Sequence, residues 1–176
     1  MQNNTQLTHR DHRPANSKFP LTVVVSDLSS PLNVGSLFRL CDAVGVQKLY
    51  LCGKTAAPPN TKITKTSRST EKYVDYEVQP HADSVVSKLK DSGSFIVSLE
   101  ITTSSISINA ADFKSAIQNK KPICLILGAE NTGVAESLLS LSDLTVHIPM
   151  YGNNSSMNVI SAASIACFEI IREIKR

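Results

Sequence analysis

The stretch LTVVVSDLSSPLNVGSLFRLCDAVGVQKLYLCG, residues 21–53, decides the fold. Its opening, LTVVVSDL (21–28), is a continuous β-branched run, the pattern of a strand buried on both faces. SSPLNVGSLFRLCDAVG follows, with Val34, Leu37, Leu40, Cys41 and Val44 at helical spacing and Gly45 as the stop. KLYLCG (48–53) is a second short strand. The alternation continues outward: YVDYEVQ is a strand, HADSVVSKLKDSG a helix and FIVSLEI (95–101) a buried strand. AADFKSAIQNK is a helix, PICLILGA (122–129) a strand, VAESLLSLSD a short helix and LTVHIPM (144–150) a strand, and residues 156–174 form the last helix. Apolar strands alternating with helices predict an α/β fold, a mostly parallel sheet with helices on both faces.

The bulk numbers set the class. A chain of 176 residues suits one domain, with residues 1–20 as a polar basic tail (Arg10, Arg13, Lys18) and 21–176 as the domain. Hydrophobic residues at 41% and charged residues at 19% describe an ordinary globular chain, and no run of eighteen apolar residues offers a membrane span. The N-terminus lacks the apolar core of a secretory signal, so a cytoplasmic location is expected. A net charge of +3 neither demands nor opposes a nucleic-acid partner. Cys41, Cys52, Cys124 and Cys167 lie far apart without CxxC spacing, which predicts free thiols and no metal site. KTAAPPNTKITKTSRSTEK (54–72) shows no periodicity and carries five basic residues, so it is expected to be a long basic loop.

In parallel α/β sheets, ligands bind beyond the carboxyl ends of the strands. Three polar segments sit there. In PLNVGSLFR (31–39), Asn33 is a plausible helix cap, Gly35 permits close backbone approach, and Arg39 is either a snorkelling surface residue or a buried anion binder. In LILGAENTGV (125–134), two glycines bracket Glu130 and Asn131, a turn in which Asn131 could cap the next helix. Neither a GK[ST] nor a GxGxxG pattern occurs there, which disfavours a dinucleotide-binding oxidoreductase. In HIPMYGNNSSMNVISAASIACFEII (147–171), Ser155 or Ser156 could cap the final helix with Asn158 in its first turn. A cap explains one serine but not Asn-Asn-Ser-Ser followed by another asparagine. A helix start also offers free N–H donors and partial positive charge to a ligand.

Asn33-Val34-Gly35 with Arg39, then Gly128-Ala129-Glu130 with Gly133, then Ile148-Pro149-Met150 and Ser156-Met157-Asn158 resemble the three ordered motifs of the SpoU (TrmH) branch of the SPOUT RNA methyltransferases. The resemblance covers residues 21–174. Met157 stands where many members have leucine, and Ile160 where a small or polar residue is frequent. The resemblance implies an α/β domain with a C-terminal trefoil knot, a homodimer, and S-adenosylmethionine held near Leu99, Gly128, Ile148, Ser156 and Met157. It implies methyl transfer to a ribose 2′-hydroxyl, with Arg39 at the hydroxyl. Because arginine stays protonated, Arg39 is expected to fix the adjacent phosphate and stabilise the developing alkoxide rather than act as a base. Ser156 and Asn33 would help hold phosphate and ribose, and Asn158 and Glu130 would order the site.

A tRNA substrate is expected because larger relatives acting on ribosomal RNA carry a separate N-terminal RNA-binding domain; ribosomal RNA is the alternative. Lys62, Lys65 and Arg68 of the basic segment, with Arg10 and Arg13, are the candidate RNA-backbone contacts, against a reading as solvated charge. In the last helix Val159, Ala162, Ala163, Ala166, Cys167, Ile170, Ile171 and Ile174 make one stripe, which serves either a core or a subunit interface, and Ile160, Ile165 and Phe168 add apolar surface beyond it. His147 is read as structural. A base-nitrogen methyltransferase of the same fold is disfavoured by Arg39, Ser156 and Asn158, and a hydrolase by the lack of a nucleophile elbow. A non-catalytic RNA-binding module is disfavoured by the intact motif residues.

Overall fold

The computed structural model describes residues 4–8, 11, 13 and 17–176, so the expectation for Arg10 lies outside the described residues. The chain runs β1 (Phe19–Ser26), α1 (Pro31–Val44), β2 (Val46–Cys52), α2 (Thr61–Ser67), β3 (Tyr76–Gln79), α3 (Ala82–Asp91), β4 (Phe95–Leu99), β5 (Ile106–Ser107), α4 (Lys114–Gln118), β6 (Ile123–Leu127), α5 (Glu136–Leu141), β7 (Leu144–His147) and α6 (Val159–Ile174). One seven-stranded sheet has the order β3-β2-β1-β6-β4-β7-β5, and every neighbouring pair is parallel. β6 lies between β1 and β4, with Val23 beside Leu125 on one side and Val97 beside Leu125 on the other.

The apolar runs are explained by helices on both faces of this sheet. Val23, Val25, Leu125 and Leu127 point to one core with Leu37 and Phe38 of α1 and Ala163, Ala166 and Cys167 of α6. Val24, Cys124 and Ile126, one residue out of phase, point to a second core with Val85 and Val86 of α3 and Leu138 of α5. All four cysteines are buried free thiols, and burial pushes Cys52 up to about 11 and Cys124 and Cys167 to about 12. Among the described residues no helix is long and apolar enough to cross a membrane.

Several boundaries differ from the sequence reading. β1 begins two residues earlier than Leu21, and the final strand stops at His147, so Ile148-Pro149-Met150 lies beyond it. β5, two residues long, was too short to carry a pattern of its own. The largest correction concerns residues 54–72, which hold α2 and a 3₁₀ turn over Thr70–Lys72. Asn60 caps α2, its side-chain oxygen accepting from Lys62 N at 3.0 Å and Ile63 N at 3.4 Å. Ile63 and Ser67, four residues apart, are fully buried, so packing rather than a repeated apolar period makes this helix. It packs on α1 through Gly35, where a Cβ would stand 2.8 Å from both the Ile63 carbonyl oxygen and the Thr66 Cβ. The close approach expected at Gly35 is thus between two helices of the chain.

Candidate active site

Because the strands are parallel, β4, β6 and β7 deliver their carboxyl ends to one edge of the sheet. Leu99, Gly128 and Ile148 stand at those ends, and a cleft of about 580 Å³ opens among them. Leu99, Gly128, Ile148, Ser156 and Met157 all line it, together with Glu130 and Asn158. His147, read as structural, is the last residue of β7 and also lines the cleft. Its Nδ1 lies 3.0 Å from Ser105 Oγ, tying the end of β7 to the loop before β5.

The three polar segments meet through side-chain amides. Ser30, not Asn33, caps α1: its backbone is extended (φ −73°, ψ 112°) and its hydroxyl accepts from Asn33 N at 3.4 Å. Asn33 therefore keeps its side chain for other partners, and its Nδ2 donates to the Glu130 carboxylate. The cap of α6 is Asn158 rather than Ser155 or Ser156, its Oδ1 accepting from Ile160 N at 2.9 Å and Ser161 N at 3.4 Å. The Asn158 Nδ2 donates to Asn33 Oδ1 at 3.4 Å, closing a chain Glu130–Asn33–Asn158 across residues far apart in sequence. Ser156 is exposed on the cleft wall.

The loop after β6 is folded by its own backbone. Ala129 and Gly133 exchange hydrogen bonds of 3.0 and 2.9 Å, and a Cβ on Gly128 would come within 2.1 Å of the Gly133 carbonyl carbon. Gly128 is required by this loop before any ligand arrives. Asn131 lines the cleft and caps nothing, since α5 starts after Ala135. The loop is pinned by Glu100, a residue the sequence reading passed over. One of its oxygens accepts from Val134 N and the other from Ile101 N, each at 2.8 Å. A Cβ on Gly133, which has φ 67°, would lie 2.2 Å from that carboxylate. The signal available in sequence was an acid directly beyond a strand that is apolar except for Ser98.

Residues 20–168 match the SpoU rRNA Methylase family. The chain belongs to that family. A tRNA (guanosine(18)-2'-O)-methyltransferase of Thermus thermophilus is 32% identical to this SpoU-family chain over 153 residues, covering 87% of this chain and 75% of that protein. The SpoU methyltransferase AviRb from Streptomyces viridochromogenes, crystallised with the cofactor AdoMet, superposes with a TM-score of 0.76 at 27% identity, covering 91% of this chain. The chain spans 62% of that protein's length. The A. aeolicus TrmH/SpoU tRNA modifying enzyme superposes with a TM-score of 0.78 at 26% identity, over 90% of this chain and 77% of that one.

The remaining site residues of this SpoU-family chain are arranged differently. Arg39 is exposed and is not among the residues lining the cleft. Six residues beyond Asn33, it lies about 9 Å further along the helix axis and roughly 240° around it. Lys62, Lys65 and Arg68 are exposed on α2 and its C-cap, which rests on α1. The cleft itself suits a nucleoside cofactor. Its volume falls in the range of roughly 300–1,000 Å³ that small-molecule sites occupy. Leu99, Leu127, Ile148, Met157 and Ala162 supply apolar wall, and Gly128, Ser156 and Asn158 supply polar groups. Among the described residues there is no group of three or more His, Cys, Asp or Glu side chains that could hold a metal ion.

Proposed function

We propose that this chain methylates a ribose 2′-hydroxyl of tRNA, with S-adenosylmethionine as methyl donor. The observation that carries the reading is the Glu130–Asn33–Asn158 chain at the mouth of the cleft, which joins all three SpoU motifs in one place. The AdoMet held by AviRb supports the donor, and the name of the Thermus thermophilus relative supports the acceptor. The family description names rRNA, so ribosomal RNA is the second substrate to test.

Leu99, Ile148 and Met157 would pack the adenine, and Gly128 and Ser156 would offer backbone and hydroxyl contacts to the rest of the donor. When bound, the donor supplies a methyl group already activated by a sulfonium. What remains for the chain is alignment of the hydroxyl and stabilisation of the charge that develops on its oxygen. Asn33 and Ser156 would hold ribose and phosphate, while Asn158 and Glu130 fix the Asn33 amide from either side. Arg39, outside the cleft, would grip the adjacent phosphate rather than the reacting oxygen. Lys62, Lys65 and Arg68, with Arg10 and Arg13 of the tail, would hold the RNA backbone further out.

The rest of the reading concerns assembly. The chain from β6 to α6 threads as a trefoil knot, a reading supported by the position of β6 between β1 and β4. It works as a homodimer in the cytoplasm. The α6 stripe serves the core through Ala163, Ala166, Cys167, Ile170 and Ile171, which leaves Ile165 (43% exposed) and Phe168 (67% exposed), beyond that stripe, as the candidate interface.

The test is nucleoside mass spectrometry of bulk tRNA incubated with the protein and methyl-labelled S-adenosylmethionine, beside an Arg39→Ala control. Label is expected in a 2′-O-methylated nucleoside. The Arg39→Ala variant is expected to lose at least about a hundredfold in turnover while binding the donor within about twofold, since Arg39 is not a cleft residue. Label on a base would reject the ribose assignment, and near-normal turnover of the variant would reject the role of Arg39.

A further inference from the structure

The chain carries a net charge of +3, yet the residues lining its cleft include two carboxylates, Glu100 and Glu130, and no lysine or arginine. The two carboxylates are held differently. Glu130 is exposed at the mouth, bound to the Asn33 amide. Glu100 is half-buried, and each of its oxygens accepts one backbone N–H at 2.8 Å, from Val134 and from Ile101. One bond from the next residue of its own segment and one from the loop after β6 hold the carboxylate in place, and each oxygen keeps a second lone pair. Glu100 is therefore a fixed negative charge in the wall of a cleft, where one sign of charge is focused by the low-dielectric surroundings.

We infer that Glu100 selects by charge, favouring the cationic methyl donor over the neutral spent product. This rests on the donor assignment proposed above. S-adenosylmethionine carries a sulfonium, an ammonium and a carboxylate, a net single positive charge. In the reaction the bond from sulfur to methyl breaks and its electron pair stays on sulfur. The methyl carbon bonds to the 2′-oxygen, and the hydroxyl proton leaves to solvent. The product, S-adenosylhomocysteine, keeps the ammonium and carboxylate but has a neutral thioether, so its net charge is zero. The two ligands share nearly every contact, and only the donor gains the attraction of a fixed carboxylate. The same charge offsets the partial positive end of α6, whose cap Asn158 also lines the cleft and which would otherwise disfavour a cation there. Methyl transfer thus removes the interaction that held the donor, and the product is released.

The experiment is calorimetric titration of the full chain and of Glu100→Gln with three ligands: S-adenosylmethionine, S-adenosylhomocysteine, and sinefungin, which places an ammonium where the donor has its sulfonium. Glu100→Gln is expected to weaken the two cations by about tenfold and to leave S-adenosylhomocysteine within about twofold. Glu100→Asp, which keeps the charge, should retain the preference. In the native chain the donor-to-product affinity ratio should fall as salt rises, a readout that survives should Glu100→Gln fail to fold. An equal loss for all three ligands, or a ratio indifferent to salt, would make Glu100 a loop staple only and overturn the inference. Failure of the native chain to bind any of the three would instead reject the donor assignment itself, and the inference with it.

Discussion

Asn158 commits its side-chain oxygen to the first turn of α6 and its amino group to Asn33, so one residue serves both the helix and the site. The two duties separate by substitution. Asn158→Ala is expected to cost about 1 kcal/mol of stability through loss of the cap, and to lower turnover. Asn158→Asp keeps an oxygen for the cap but cannot donate to Asn33, so its melting temperature should stay near that of the native chain while methylation falls. Thermal melts beside single-turnover assays decide it. Asp27 makes a pH-dependent contribution of another kind. It accepts from Lys54 N and from Ser26 Oγ, each at 2.9 Å, and the Lys54 N–H in particular holds its carboxyl below the ordinary value of 3.8. A depressed carboxyl stabilises the fold above its unfolded pKa, and that contribution is lost as pH falls through the folded one. Asp27→Asn should therefore destabilise near pH 7 by under about 1 kcal/mol, because the group is exposed, and match the native chain once the acid limb is reached in urea melts. At this scale the types of the site residues were legible in sequence but not their duties. Ser30 and Asn158 cap because the chain enters their helices through non-helical φ/ψ, a fact of path rather than of composition. The duty of Glu100 was hidden because its partner Val134 lies 34 residues away.

α2 shows what an element needs besides pattern. Its seven residues, TKITKTS, hold one large apolar side chain, too few for a period to register, and the helix exists because Ile63 and Ser67 are buried while Gly35 lets α1 approach. The long strands were legible for the opposite reason: β1 and β6 are apolar on both faces and leave no other reading. In α2, Lys62 and Lys65 project from the helix and Arg68 caps it in the left-handed conformation, φ 55°. Replacing all three with glutamine is expected to weaken tRNA binding and to reduce the slope of log affinity against log salt by about 3, roughly one per lost phosphate contact. Filter binding across a salt series measures this. An unchanged slope would return these side chains to solvent and place the RNA elsewhere.

For the whole molecule, the parallel sheet was readable from alternation, whereas the strand order was not. Nothing local in Leu125 says that it will lie between Val23 and Val97. The division of α6 into a buried side and an exposed one was equally hidden, since its stripe suits either core or interface. If the exposed side joins two copies, the native chain should sediment as a dimer at micromolar concentration and Phe168→Glu as a monomer, with the fold preserved by circular dichroism. A monomeric native chain would exclude the interface. The position of β6 has a consequence for how the protein is made. A ribosome releases β1 to β5 before β6 exists, and β6 is the strand that joins β1 to β4. Until it emerges, the nascent chain carries one half-sheet, β3-β2-β1, with the inner edge of β1 open, and β4 and β5 without any partner strand, since β7 follows β6 as well. Completion is a late event in synthesis, and a premature stop before residue 123 would leave an aggregation-prone fragment rather than a smaller working protein.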